Sequence, residues 1–217
     1  MKAVVLAGCP AATLVDVSHS IPAFDVRAGA FVTWAGTRHF QPGTVHLAVV
    51  DPGVGTARRR LALAVDGSFY VGPDNGLFDL VLQHGELGDA IELEPSPSAA
   101  ATVEGRDVFA PAAARLAAGT ELRRLGPRVS PAVIEDRGPS VLWVDNFGNL
   151  VTSLRELVAE LSINGRHVKE RARTYGEAPP NRPFLYIGSM GYLEVGLAEA
   201  RADQFFDAGP GTPIDVH

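Results

Sequence analysis

The stretch TVHLAVV, residues 44–50, is apolar at nearly every position. It lacks the alternation of a half-wetted strand and reads as a strand covered on both faces. Such a strand needs helices above and below it, which commits the first half of the chain to α/β layering. The flanking sequence supplies the rest of the pattern. AVVL (3–6) and ATLVDVS (12–18) read as strands, as do LALAV (61–65) and SFYVG (68–72). DVRAGAFVTWAGTRHF (25–40) places Val26, Ala30, Phe31 and Trp34 on one helical face. GLFDLVLQHG (76–85) reads as a helix begun near Asn75 and closed by Gly85. DVFAPAAARLAAG (107–119) reads as another, with Pro111 early, where a missing N–H costs least.

The texture changes after about residue 125. GPRVSP and EDRGPS are rich in Pro, Gly and charge, and short strand-like runs follow: SVLWVD, NLVTS, RHVKERART, RPFLYIGS and YLEVGL. The expected layout is an α/β N-terminal domain over 1–126 with a central, mostly parallel sheet, a linker over 127–139, and a small C-terminal antiparallel β-barrel-like domain over 140–217.

A net charge of -6 argues against a nucleic-acid partner, because phosphate binding calls for a basic face. Cys9 is the single cysteine, so no internal disulfide forms, and no His/Cys spacing suggests a metal site. A reducing cytoplasm is the expected compartment. No apolar run approaches the ~20 residues of a membrane span, and the N-terminus lacks a signal peptide's apolar stretch.

The chemistry gathers on loops. Asp51 stands at the carboxyl end of the 44–50 strand, where open α/β sheets collect ligands. Pro52 and Gly53 turn the chain, Gly55 permits close backbone approach, and Arg58 returns on the far side. The pair reads either as an oriented carboxylate in a cleft or as a turn aspartate with a surface arginine. In YVGPDNGLF, Asp74 or Asn75 is placed to cap the following helix. In GRDVFAP, Asp107 is placed as an N-cap, and Arg106 either pairs with a carboxylate or guards a cleft. DNFGNLVTS sets Asp145, Asn146 and Asn149 around Phe147, a set able to read a heterocycle edge and hold an ammonium group, or to close a β-turn. Ser189 and Glu194 in GSMGYLE are weaker candidates for the same role.

Taken in order, VDVSHSIPAFDVRAGAF, FQPGTVHLAVVDPGVGTARR, YVGPDNGLF, GRDVFAPAAA, VDNFGNLVTS and GSMGYLEVGLA resemble the S-adenosylmethionine hydroxide adenosyltransferases, relatives of the fluorinating and chlorinating nucleosidases. The resemblance covers almost the whole chain. It implies homotrimers with sites between one subunit's N-terminal domain and its neighbour's C-terminal domain. It also implies hydrolysis of S-adenosylmethionine to adenosine and methionine by in-line attack of water on ribose C5′, with no metal or other cofactor. Asp51 and Arg58 match the aspartate and arginine of the family's Asp-Arg-His set. Asp145 and Ser189 match positions that hold the methionine end, Phe147 and Asn149 the adenine side, and Phe24 an aromatic beside the nucleoside. The halogenating relatives carry an aromatic residue at Asp51 and a halide-binding serine at Gly105, so both positions favour water here.

Two departures stand out. The family's Thr-Phe-His-Gly-Arg-Asp run is TVEGRD here, so Glu104 stands where the histidine is expected. Glu104 reads either as a substitute base or as a solvated loop acid that leaves Asp51 and Arg58 to suffice. The family's opening strand, ending in Thr-Asp-Phe-Gly with a ribose-binding aspartate, would lie just before MKAVVL; either the start is assigned late or the protein lacks that strand and the ribose anchor. The expected function is S-adenosylmethionine hydrolysis. The rivals are a binding protein without turnover and, less favoured, a halogenating enzyme.

Overall fold

The computed structural model describes residues 1–132 and 138–217, in two compact units, Met1–Ile134 and Glu135–His217. Part of the expected 127–139 linker, residues 133–137, lies outside the described residues.

The first unit is built from α1 (Lys2–Gly8), α2 (Val26–Thr37), β1 (Val45–Leu47), β2 (Arg60–Val65), β3 (Ser68–Pro73), α3 (Asp79–His84), β4 (Leu87–Glu92) and α4 (Ala110–Ala117). Its sheet runs β1-β3-β2-β4. Helices do cover both faces. On β3, Val71 packs with Phe109, Ala112, Ala113 and Leu116 of the α4 layer. The next residue back, Tyr70, faces the other way, touching Phe78 and the Thr37 hydroxyl of α2.

The sheet is not mostly parallel as expected. Only β1 and β3 are parallel; β2 pairs antiparallel with both β3 and β4. The cause is local. Asp66 and Gly67 both adopt positive φ, 49° and 76°, as a two-residue hairpin turn requires, and that turn folds β2 straight back onto β3. Of the run 44–50, only Val45–Leu47 makes a strand, and it lies at the sheet edge. AVVL is helical within α1, not a strand. Val5 is buried against Ala110 and Ala114 of α4, and Cys9, four residues on, is buried as well. A four-residue apolar run cannot by itself distinguish a strand from a helix. ATLVDVS pairs with no strand among the described residues; Val15 is 63% exposed.

The second unit holds β5 (Val141–Val144), β6 (Leu150–Thr152), β7 (Leu161–Ile163), β8 (Arg166–Val168), β9 (Glu170–Arg171), β10 (Pro183–Ile187), β11 (Leu193–Leu197), α5 (Ala202–Phe206) and β12 (Asp215–Val216). They form two open sheets, β5-β6-β11-β10-β9 and β12-β7-β8, so among the described residues there is no closed barrel. Most pairs are antiparallel, but β9 and β10 are parallel. The core is mainly aliphatic: Leu150, Leu161, Ile163, Leu185, Leu193 and Val195 are almost fully buried, together with the Phe184 and Phe206 rings.

Candidate active site

Beyond β1 the chain stays in register for one more bond, Ala48 N donating to Val71 O at 3.0 Å. Asn75 Nδ2 then braces Val50 O at 2.9 Å. This fixes the strand end that carries Asp51. The loop that follows closes on itself: Thr56 N and Oγ1 both donate to Gly53 O, at 3.1 and 2.7 Å. Gly55 sits at φ 78°, a conformation that glycine adopts without strain. The tight loop returns Arg58 to Asp51. Arg58 Nε donates to Asp51 Oδ1 at 2.8 Å and Nη2 donates to Oδ2, a two-point pair with both side chains largely buried.

The three consecutive arginines divide by the alternation of an extended chain. Arg59 points one way and pairs with Asp74. Arg58 and Arg60 point the other way and converge on Glu104, Arg58 Nη2 reaching Oε2 while Arg60 Nε donates to Oε1 at 2.7 Å, with its Nη2 on the same oxygen. Glu104 is only 2% exposed, which rules out the solvated loop acid. Arg58 also lies 5.5 Å above the centroid of the fully buried Phe109 ring. Burial alone would lower the Arg58 pKa; the hydrogen bonds it donates to Asp51 and Glu104, with their charges, outweigh burial and raise it above the ordinary value.

A cleft of about 320 Å³ opens in front of Asp51, lined by Ser18, His19, Ile21, Pro22, Ala23, Phe24, Val49, Val50 and Asp51. Glu104 is not among its walls. Phe24 is 77% exposed at φ 69°, presented by a loop anchored where Asp25 caps α2 through Ala28 N at 2.9 Å. His19 Nε2 lies 3.0 Å from Asp16 Oδ1 at the same wall. Gly105 opens a single π-type turn, Gly105–Phe109, ahead of α4; a Cβ there would lie 3.1 Å from Met1 Sδ.

Other loop expectations are corrected. Neither Asp74 nor Asn75 caps α3, whose N-cap is Phe78; Asp74 is taken by Arg59, and Asn75 Oδ1 reaches only Leu77 N at 3.3 Å. Asp107 is not an N-cap. It lies inside the π-type turn, accepts from Ala100 N at 2.9 Å and pairs with exposed Arg106, which holds its carboxyl down at about 2.

In the second unit, the Asp145 carboxylate closes its own loop. Oδ1 accepts from Phe147 N and Asn149 N, each at 2.9 Å, and Oδ2 accepts from Asn149 Nδ2 at 2.7 Å. Phe147 projects from that loop, 78% exposed. Glu194 is buried on β11, opposite Tyr186 of β10, whose hydroxyl donates to it; Tyr175 and Tyr186 hydroxyls lie 3.0 Å apart. Burial and the nearby Asp145 charge push the Glu194 carboxyl up, with the tyrosine bond opposing them. Ser189 is exposed on the turn between β10 and β11. Sequence reasoning missed Arg60, Tyr175 and Tyr186. A signal for Arg60 was available, since it lies two residues beyond Arg58 on the same strand face.

The chain matches the model for the SAM hydroxide adenosyltransferase N-terminal domain over residues 1–126 and that for the C-terminal domain over 139–215. Among named relatives, an (R)-S-adenosyl-L-methionine hydrolase of Thermus thermophilus is 40% identical, covering 99% of this chain and 91% of its own length. One of Salinispora arenicola is 39% identical, covering 95% and 87%. A fluorinase of Actinoplanes sp. is more distant, 28% identical with 99% and 91% covered. A solved structure, an uncharacterized conserved protein from Thermotoga maritima, superposes with a TM-score of 0.86 at 29% identity, covering 99% of this chain and 92% of that one.

Proposed function

The chain belongs to the SAM hydroxide adenosyltransferase family, and from that premise we propose that it hydrolyses S-adenosyl-L-methionine to adenosine and L-methionine. The observation that carries the reading is the Asp51 carboxylate, held at two points by Arg58 at the wall of a cleft that also presents the Phe24 ring.

A carboxylate so held keeps lone pairs for water while its orientation is fixed. Water hydrogen-bonded to Asp51 attacks ribose C5′ from the side opposite sulfur. The C5′–O bond forms as the C5′–S bond breaks, and the bonding pair passes to sulfur, which leaves as a neutral thioether. One proton of the water goes to Asp51 and then to solvent, so the products are adenosine, methionine and one proton. The sulfonium is already a good leaving group, and the reaction as drawn calls on no metal. Phe24 offers an aromatic face to the nucleoside. In the second unit, Asp145 and Glu194 form an acidic pair suited to the substrate's ammonium end; Ser189, Phe147 and Asn149 complete the methionine and adenine contacts that the family resemblance implies. Gly105 leaves the water side without a halide-binding hydroxyl. The assembly we propose is a homotrimer, in which Phe147 and Phe24, both exposed in the single chain, are covered by neighbouring subunits.

Chromatography of S-adenosylmethionine incubated with the protein, with and without chloride, tests the reading. Equal adenosine and methionine in both samples are expected. A chlorinated nucleoside, or unchanged substrate, would refute it.

A further inference from the structure

We propose that Arg60 is a positioning residue that keeps Arg58 on Asp51 by occupying the Glu104 carboxylate, and that Glu104 is not the proton acceptor. This rests on the hydrolase reading above. Glu104 is placed wrongly for a base: it is 2% exposed, does not line the cleft, and takes three N–H donors from two guanidiniums. A carboxylate offers roughly four acceptor sites, so little capacity is left for water.

The arrangement is instead a buried row of alternating charge, Asp51, Arg58, Glu104, Arg60, with two carboxylates balancing two guanidiniums. Its weak point is Arg58 Nη2, which serves Asp51 Oδ2 and Glu104 Oε2 together. Arg60 keeps Glu104 from drawing that group away from Asp51, because it occupies Oε1 with two of its own donors. Arg60 can do so because its backbone is fixed in β2, with its carbonyl accepting from Leu93 N at 2.7 Å and the residue registered against Pro73 of β3. Without Arg60, Glu104 is a buried carboxylate with Arg58 as its one side-chain partner among the described residues, and it competes with Asp51 for the position of that guanidinium.

The test compares wild type, Arg60→Gln, Arg60→Lys, Glu104→Gln and the charge-balanced double variant Arg60→Gln/Glu104→Gln. Steady-state kinetics, pH–rate profiles and crystal structures with adenosine are read. Arg60→Gln should lower kcat on the order of 10–100-fold with KM within about threefold, the size of one lost charge-assisted bond acting through Arg58. Arg60→Lys should recover part of the loss. The double variant should exceed Arg60→Gln, because the competing carboxylate is gone, and Glu104→Gln should keep the pH dependence of wild type. A base would behave oppositely: Arg60→Gln would match or exceed wild type, the double variant would fall well below it, and Glu104→Gln would lose a limb of the pH profile. Either that pattern or wild-type rates in every variant overturns the proposal. The double variant against Arg60→Gln decides the matter even where Glu104→Gln fails to fold. The crystal structures separate this proposal from the hydrolase reading. If wild type makes no adenosine, that reading falls, while Arg58 displaced from Asp51 in Arg60→Gln still supports the positioning role and an unmoved Arg58 overturns it.

Discussion

Replacing Asp51 with Asn is the sharpest perturbation of the proposed chemistry, because it keeps the shape and removes the charge. In the folded chain Asp51 accepts Arg58 Nε at Oδ1 and Nη2 at Oδ2. An amide offers one acceptor oxygen and puts an NH2 group against the other donor. At least one charge-assisted bond is lost, worth about 1.5–3 kcal/mol, and the proton acceptor is lost with it, a further ~10²–10⁴-fold in rate. Turnover should therefore fall at least about 10³-fold. Adenosine affinity should change little, since the walls that Ser18–Phe24 contribute to the cleft are untouched. Single-turnover release of adenosine gives the rate, and calorimetric titration with adenosine gives the affinity. An Asp51→Asn protein retaining more than about a tenth of the wild-type rate would refute the role of Asp51.

Three further outcomes follow from the geometry. His46 is buried between Phe40 and Tyr70 with its Nε2 unpartnered, and burial lowers its pKa from 6.5 to about 4. Its folded pKa is the lower one, so the stability is present above pH 6.5 and is lost as pH falls towards 4. That loss reaches at most about 3 kcal/mol. His46→Phe should flatten this part of the denaturant-midpoint profile, and identical slopes for the two proteins between pH 6.5 and 4.5 would contradict the assignment. Phe24→Ala should raise KM about tenfold while leaving kcat within threefold, because the exposed ring binds without reacting; steady-state kinetics decide this. Light scattering should give three times the 22.9 kDa chain mass, and an active monomer would end the trimer proposal.

Local chemistry made part of this molecule legible. A carboxylate and a guanidinium seven residues apart on a Gly-rich turn could hardly avoid each other, and Asp51 and Arg58 do meet. The strands LALAV and SFYVG appear where their apolar content places them, but the Asp66-Gly67 pair between them was the stronger message. It specifies a hairpin, and taking it at face value would have excluded a mostly parallel sheet. Asn164 and Gly165 carry the same signal between β7 and β8. AVVL failed because four apolar residues fit either period, and its partner, α4, lies more than a hundred residues away. β4 was missed because Gly88 and Asp89 disfavour strands, and what holds it is remote in sequence: the ladder with β2 and backbone bonds to Pro127 and Val129. The Glu104 contacts were out of reach for the same reason: its two arginines lie 46 and 44 residues back in sequence. Whether that carboxylate was solvated or buried is a property of the assembled sheet.

The central claim is that water attacks C5′ of S-adenosylmethionine at the Asp51 cleft. Turnover in ¹⁸O-enriched water, with both products weighed by mass spectrometry, tests it most directly. The account predicts adenosine heavier by one ¹⁸O at its 5′ oxygen and methionine without label. Unlabelled adenosine, label in methionine, or substrate recovered intact would contradict it.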